Sequence, residues 1–169
     1  DRSMIDLALH HFEPIGLDAM VEHAELLTRV DRKYLLTPEQ THELLDDLDA
    51  STRALEIDGR RQASYESVYF DTPDLVTYRM CVQQRRRRVK IRTRSYLDTG
   101  IAFLEAKTRR EESTGKERIG HAWRLRDRLD PIARAYAADA LLSVGQDPCL
   151  AASLESTIST RYRRATLLA

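Results

Sequence analysis

The chain has 169 residues, 42% of them hydrophobic, and its 27 Lys and Arg balance 27 Asp and Glu to a net charge of zero. That length and composition suit one folded domain with a core of its own and exclude a low-complexity or disordered chain. No run approaches the roughly 18 apolar residues of a membrane helix, and Cys81 and Cys149 form neither a disulfide framework nor a metal motif.

The zero sum hides an asymmetry. Residues 1–60 carry 14 acids and 6 Lys or Arg, so residues 61–169 carry the remaining 13 acids and 21 Lys or Arg. The basic part is what a partner would meet, and that partner is expected to be anionic. Only four of the 27 cations are lysines: Lys33, Lys90, Lys107 and Lys116.

In chain order, residues 1–25 read as an irregular lead-in with a short helix over Leu17–His23, capped by Asp18. The start lacks the basic end and long apolar centre of a signal peptide. With two cysteines outside any disulfide pattern, a reducing, cytoplasmic setting is the expectation. Residues 26–36 (LLTRVDRKYLL) read as a strand with Arg29, Asp31 and Lys33 on one face. Thr37-Pro38-Glu39-Gln40 is a helix start with a capping box and Pro at the first helical position. Leu44, Leu45 and Leu48 form the apolar stripe of that helix, which is expected to end near Ala50. Ala63–Asp71 is rich in Tyr, Val and Phe and reads as a strand, broken by the Asp71–Asp74 turn. A helical turn around Leu75, Tyr78 and Arg79 follows.

Residues 85–110 then form the most charged stretch. Alternation puts Arg88, Lys90, Arg92 and Arg94 on one face, opposite Val89, Ile91, Thr93 and Ser95. After a turn at Asp98-Thr99-Gly100, Phe103, Glu105, Lys107 and Arg109 share a face, opposite Ala102, Leu104 and Ala106. This is a hairpin with a row of like charges that calls for water or a polyanion. A strand over Lys116–Trp123 follows, with Arg118 alternating against Ile119. Asp130-Pro131 opens an alanine-rich helix to about Val144, Asp147-Pro148 a short helical segment, and Thr160–Leu168 ends the chain as a basic strand. Several strands with one charged and one apolar face predict an α+β fold in which an antiparallel β-barrel with a polar lumen is flanked by helices.

Five stretches in this order, RVDRKYLL (29–36), SVYFDTPDLVTY (67–78), RVKIRTRSY (88–96), FLEAKTRRE (103–111) and YRRATL (162–167), resemble the polyphosphate polymerase or VTC domain. That domain belongs to the CYTH, or triphosphate tunnel metalloenzyme, superfamily. The resemblance covers about residues 26–168. It implies one domain over 1–169, built as an antiparallel barrel whose tunnel holds a triphosphate or polyphosphate with Mg²⁺ or Mn²⁺. It further implies metal-dependent transfer of the γ-phosphate of ATP onto inorganic polyphosphate. The alternatives are hydrolysis of a triphosphate, as in other superfamily members, and a module that binds polyphosphate without turnover.

Carried over by position, Lys33, Arg92, Arg94 and Lys107 match the catalytic cations. Arg29, Lys90, Arg109, Arg118 and Arg164 are further phosphate-binding candidates, with Arg163 as the alternative to Arg164. Asp31 and Glu105 are the candidate metal carboxylates, weighed against internal pairing with Lys33 and Lys107. The first-strand motif is Arg29-x-Asp31-x-Lys33, in which arginine stands where the wider superfamily has glutamate. The family pattern continues past Leu168 with strands carrying another arginine, a glutamate and a late lysine, so the tunnel is expected to be incomplete at the C-terminal end. The RRRR run at 85–88 also suits nucleic acid, but aromatic residues interleaved with the cations are too sparse for that reading to be preferred.

Overall fold

The computed structural model of the protein describes residues 2–25, 32–111 and 113–169. In chain order the elements are α1 (Arg2–Leu9), β1 (Glu13–Ile15), α2 (Leu17–Glu25), α3 (Pro38–Asp46), β2 (Arg53–Leu55), β3 (Ala63–Asp71) and α4 (Val76–Val82). Then come β4 (Arg87–Tyr96), β5 (Ile101–Arg110), β6 (Ser113–His121), α5 (Pro131–Ser143), β7 (Glu155–Arg164) and β8 (Leu167–Leu168). Single 3-10 segments cover Trp123–Leu125 and Pro148–Ser153. No helix among the described residues is long and apolar enough to cross a membrane.

The chain divides into two compact units. The second comprises Ser64–Tyr162, and the first comprises the residues on either side, through 63 and from Arg163 on.

In the first unit β1 pairs in parallel with β2, and β2 antiparallel with β8. A small core forms from Ala8, Leu9 and Leu45, with Ile5, Phe12, Leu48 and Leu167 packed against it. The lead-in is therefore structured, not irregular. Its signal was present as Ile5, Ala8, Leu9 and Phe12, apolar residues at i, i+3, i+4 and i+7. The Arg61 guanidinium fastens α1: its Nη1 donates to the carbonyls of Leu9 and Phe12, both at 2.6 Å, while its Nε donates to Glu56 at 2.9 Å. Carbonyls at a helix end lack intrahelical donors and favour a cation, so one side chain satisfies both needs. The capping box of α3 forms as expected, with Gln40 N–H donating to Thr37 Oγ1 and Thr37 N–H to Gln40 Oε1. The helix stops at Asp46, short of the expected Ala50. Of the expected strand at 26–36, residues 26–31 lie outside the described residues, and 32–37 form no regular element.

The second unit is a five-stranded sheet in the order β6-β5-β4-β3-β7. The pairings of β3, β4, β5 and β6 are antiparallel and in register across the hairpin predicted at 85–110. The turn includes Gly100 at φ +67°, a backbone state in which glycine has no Cβ to strain. Alternation along the strands separates the faces. Val68, Phe70, Val89, Ile91, Leu104 and Ala106 meet Ala133, Ala137, Ala140 and Leu141 of α5 in one core. Asp130 caps α5 through the Ala133 N–H at 2.8 Å, and its alanines present a face that lets the helix lie close on the sheet.

The expected closed barrel is not found. Closure would require β6 and β7 to find partners on their outer edges, whereas both are sheet edges among the described residues. The apolar face of the sheet is buried by α5 and needs no closure to leave water.

Asp71, at the end of β3, organises the turn into α4. Its Oδ1 accepts the N–H of Thr72 and of Thr77, each at 2.9 Å, and its Oδ2 accepts the N–H of Tyr78 at 2.8 Å. These bonds hold Leu75 in a left-handed conformation (φ +58°), which a branched side chain adopts only under constraint. Replacing Asp71 by Ala is expected to lower stability by about 2–3 kcal/mol, because buried amides lose a charged acceptor. Thermal or urea denaturation measures it, and an unchanged midpoint would refute this role for Asp71.

Candidate functional site

The face of the second unit's sheet that does not meet α5 carries the site. Residues directly opposite in an antiparallel ladder project to the same side, so the register arranges this face in rows. From one end they are Arg88–Arg109–Thr114, then Lys90–Lys107–Lys116, then Arg92–Glu105–Arg118, then Arg94–Phe103–Gly120. On β3, Tyr69 stands opposite Arg92 and Ser67 opposite Arg94. Successive rows lie about 6.8 Å apart along the strands. Three of the chain's four lysines therefore occupy a single row. Lys116 was outside the predicted binding set, because nothing in sequence shows that it registers with Lys107.

Like charges placed opposite one another destabilise a sheet, and Glu105 is the compensation. Its side chain is 3% exposed. Oε2 accepts from Arg92 Nε at 3.0 Å and Nη2 at 2.9 Å. Arg94 Nε stands 3.9 Å from the same oxygen, and Lys116 Nζ 3.6 Å from Oε1. Burial pushes the Glu105 carboxyl up, but the Arg92 hydrogen bonds and the nearby charges of Arg94, Arg92 and Lys116 outweigh it, holding the group below the usual value. Arg92 is buried too. Its bond to Glu105 and its donation to Tyr69 Oη at 2.9 Å more than offset that burial, and its pKa is raised. Internal pairing of Glu105 does occur, with Arg92 and Lys116 as partners and Lys107 standing apart.

Several donors on this face have no acceptor among the described residues. Arg94 Nε and Ser67 Oγ are buried without a hydrogen-bond partner, and Lys90 and Lys107 are exposed in their row. A buried guanidinium N–H without an acceptor is costly, and a phosphate oxygen would relieve it. Arg88 donates to the Arg85 carbonyl and Arg109 to that of Glu111, so both are partly committed to the turn at the strand ends. Arg118 lies over the Phe103 ring at 4.6 Å. At the far end Tyr65, Tyr96, Phe103 and Tyr162 pack ring against ring, so this end of the face is aromatic rather than charged.

The structure thus brings together Lys90, Arg92, Arg94, Glu105, Lys107, Arg109 and Arg118. Lys33 and Arg164 belong to the first unit, Lys33 exposed in the segment before α3 and Arg164 exposed at the end of β7. Arg29 and Asp31 lie outside the described residues.

No three His, Cys, Asp or Glu side chains are grouped so as to hold a metal among the described residues. Glu105 is a single carboxylate with one oxygen taken by Arg92. Mg²⁺ commonly binds through one or two carboxylates together with substrate phosphates and water. The donors present therefore fit a divalent cation only as a partner of bound phosphate, not as a resident ion.

A second carboxylate, Glu66, sits on the opposite face of β3, 6% exposed. It accepts from Arg161 at 2.6 Å and from Arg126 at 3.0 Å. Burial raises its pKa, the two arginines lower it further than that, and the net shift is downward. This pair of bonds ties β7 and the loop after β6 to β3.

The VTC domain family model matches residues 28–169 of the chain. Comparison with curated proteins gives no match.

Two outcomes follow from the Glu105 geometry. Its folded pKa lies below the ordinary 4.5, so the folded state binds fewer protons than the unfolded one in that region. The stability it contributes is complete above about pH 4.5 and is lost as pH falls through the folded value. Glu66 acts in the same direction. Urea titrations between pH 7 and 3 are expected to show a level plateau and then a decline, and the decline should be shallower in Glu105→Gln. That variant should also be about 2–3 kcal/mol less stable at pH 7, since Arg92 loses its partner. An unaltered profile would show that the pair contributes nothing.

Proposed function

Because the chain belongs to the VTC domain family, we propose that the cationic sheet face binds a triphosphate or inorganic polyphosphate and transfers the γ-phosphoryl group of ATP onto the polyphosphate chain. The observation that supports this most directly is the row Lys90–Lys107–Lys116, flanked by Arg92 and Arg94. A linear polyanion presents oxygens at short, regular intervals, and rows of cations about 6.8 Å apart along the strands meet it repeatedly. Lysines act as point charges without a fixed angular demand, whereas guanidinium groups grip oxygens in pairs. Such a mixture suits a chain that must both be held and advance.

In phosphoryl transfer the protein's contribution is positioning and charge stabilisation. Arg92 and Arg94 would stabilise the transferring phosphoryl: Arg92 is oriented by Glu105 and Tyr69, and Arg94 Nε has no hydrogen-bond partner. Lys107 and Lys90 would hold the neighbouring phosphates. A divalent cation belongs to the same proposal. Glu105 Oε1 would contribute to holding it beside the phosphates, and the cation would add charge neutralisation where negative charge accumulates. Enclosure of the face in a tunnel is also part of this reading, since excluding water strengthens each cation's pull.

One observation favours a second reading, a polyphosphate-binding module without turnover. The central carboxylate is already engaged by Arg92 and Lys116, which neutralises the face more readily than it recruits a metal.

Lys107 offers the cleanest test, because its removal orphans no ion-pair partner among the described residues. Lys107→Ala is expected to weaken tripolyphosphate binding about tenfold by calorimetry, with the affinity falling as salt is raised. Unchanged affinity would sink the phosphate assignment. Incubating the full-length protein with ATP and Mn²⁺ should lengthen polyphosphate, and chelation should stop it. Tight binding with no polymer formed would leave the binding module as the function.

A further inference from the structure

A pocket of about 500 Å³ opens beside the lysine row, within the second unit, where β3, α4 and β4 meet β7. We propose that this pocket seats the base and sugar of a nucleoside triphosphate whose phosphates pass over Lys90 and Lys107 toward Arg92. The proposal rests on the reading of the cationic face as a triphosphate site and adds to it the end of the substrate that the cations do not explain.

The size suits a small organic ligand, for which pockets of roughly 300–1,000 Å³ are usual. Its wall is mostly apolar, with Leu75 from the turn before α4, Tyr78 and Val82 from α4, Tyr69 from β3 and Ile158 from β7. Single exposed apolar residues need no explanation, but here four surround one hollow: Leu75 at 39%, Tyr78 at 60%, Val82 at 61% and Ile158 at 58% exposure. Two of the lining residues are tyrosines, whose rings can stack on a heterocycle.

The pocket and the phosphate face share residues. Lys90 lines the pocket and is also the first member of the lysine row. Tyr69 lines it too, and its hydroxyl accepts from Arg92 Nη1, which fixes the ring at the border between the two. The β7 side is held by Thr157, whose hydroxyl donates to the Tyr69 carbonyl at 3.1 Å. The nearby Asp71 carboxylate is spent on the α4 amides, which leaves its oxygens engaged rather than facing an incoming phosphate.

A ligand filling this site is apolar and flat at one end and polyanionic at the other. Inorganic triphosphate and polyphosphate have only the second part. A nucleoside triphosphate has both, in the right order. The pocket therefore distinguishes the phosphoryl donor from the growing chain, which runs over the same cations.

Tyr78 is the residue to change, since it is exposed on α4 and carries no ion pair among the described residues. Calorimetry of the full chain with ATP and, separately, with tripolyphosphate at one ionic strength reads the effect. Tyr78→Ala is expected to weaken ATP about tenfold, as loss of a stacking ring does, and to leave tripolyphosphate within about twofold. Tyr78→Phe, which keeps the ring, should retain ATP affinity, and circular dichroism confirms that each variant is folded. ATP affinity unchanged in Tyr78→Ala, or an equal loss for both ligands, overturns the nucleoside assignment. Lys107→Ala separates the two levels: it should weaken both ligands, and if it weakens neither, the phosphate reading itself fails whatever Tyr78 does.

Discussion

The second unit is built around an electrostatic constraint. Its sheet carries cations from three adjacent strands on one face, and such a face cannot be stable without compensation. Glu105 supplies it from the centre, nearly buried, with Arg92 bonded to one oxygen and Lys116 near the other. The compensation is partial by construction. One carboxylate faces at least three cations, and Lys90 and Lys107 stay exposed beside it. The residual charge is what the proposed polyanion would satisfy.

That face depends on the other side of the sheet for its shape. Apolar residues between the cations, Val89, Ile91, Leu104 and Ala106, are held against α5, and their burial fixes the strands' register. A slip by one residue would turn the whole cationic set toward the helix. The hydrophobic core therefore positions the cationic groups of the opposite face, although none of its residues is exposed on that face. Glu66, bonded to Arg161 and Arg126, adds ionic ties from β3 to β7 and to the loop after β6.

A second consequence concerns α4. The helix is only seven residues long, too short to be stable alone. Asp71 anchors its first turn, and Met80 reaches the core. What faces outward, Tyr78 and Val82, is then left beside the end of the lysine row. A helix held by one carboxylate thus becomes the wall of a hollow that adjoins the charges. In the first unit Arg61 does comparable work, joining the end of α1 to Glu56.

Much of this was legible in the chain itself. Period-two alternation located β4 and β5 and assigned their faces, because side-chain direction in a strand is a local property, and Tyr, Val and Phe content located β3. Thr37, Pro38 and Gln40, and likewise Asp130 and Pro131, marked helix starts through short-range hydrogen bonding. The family resemblance drew on the same residues. What the sequence could not decide is who stands beside whom across strands. Lys116 joined the lysine row, and Glu105 met Arg92 instead of Lys107, through a pairing register set by tertiary burial. The barrel was expected from the charged faces and from the family resemblance; charged faces by themselves do not require closure, because α5 covers the apolar side of the sheet. The pocket beside Lys90 likewise exists only because a turn held by Asp71 brings α4 alongside β4. Local chemistry wrote the charges into the strands, and only packing decided which of them would act together.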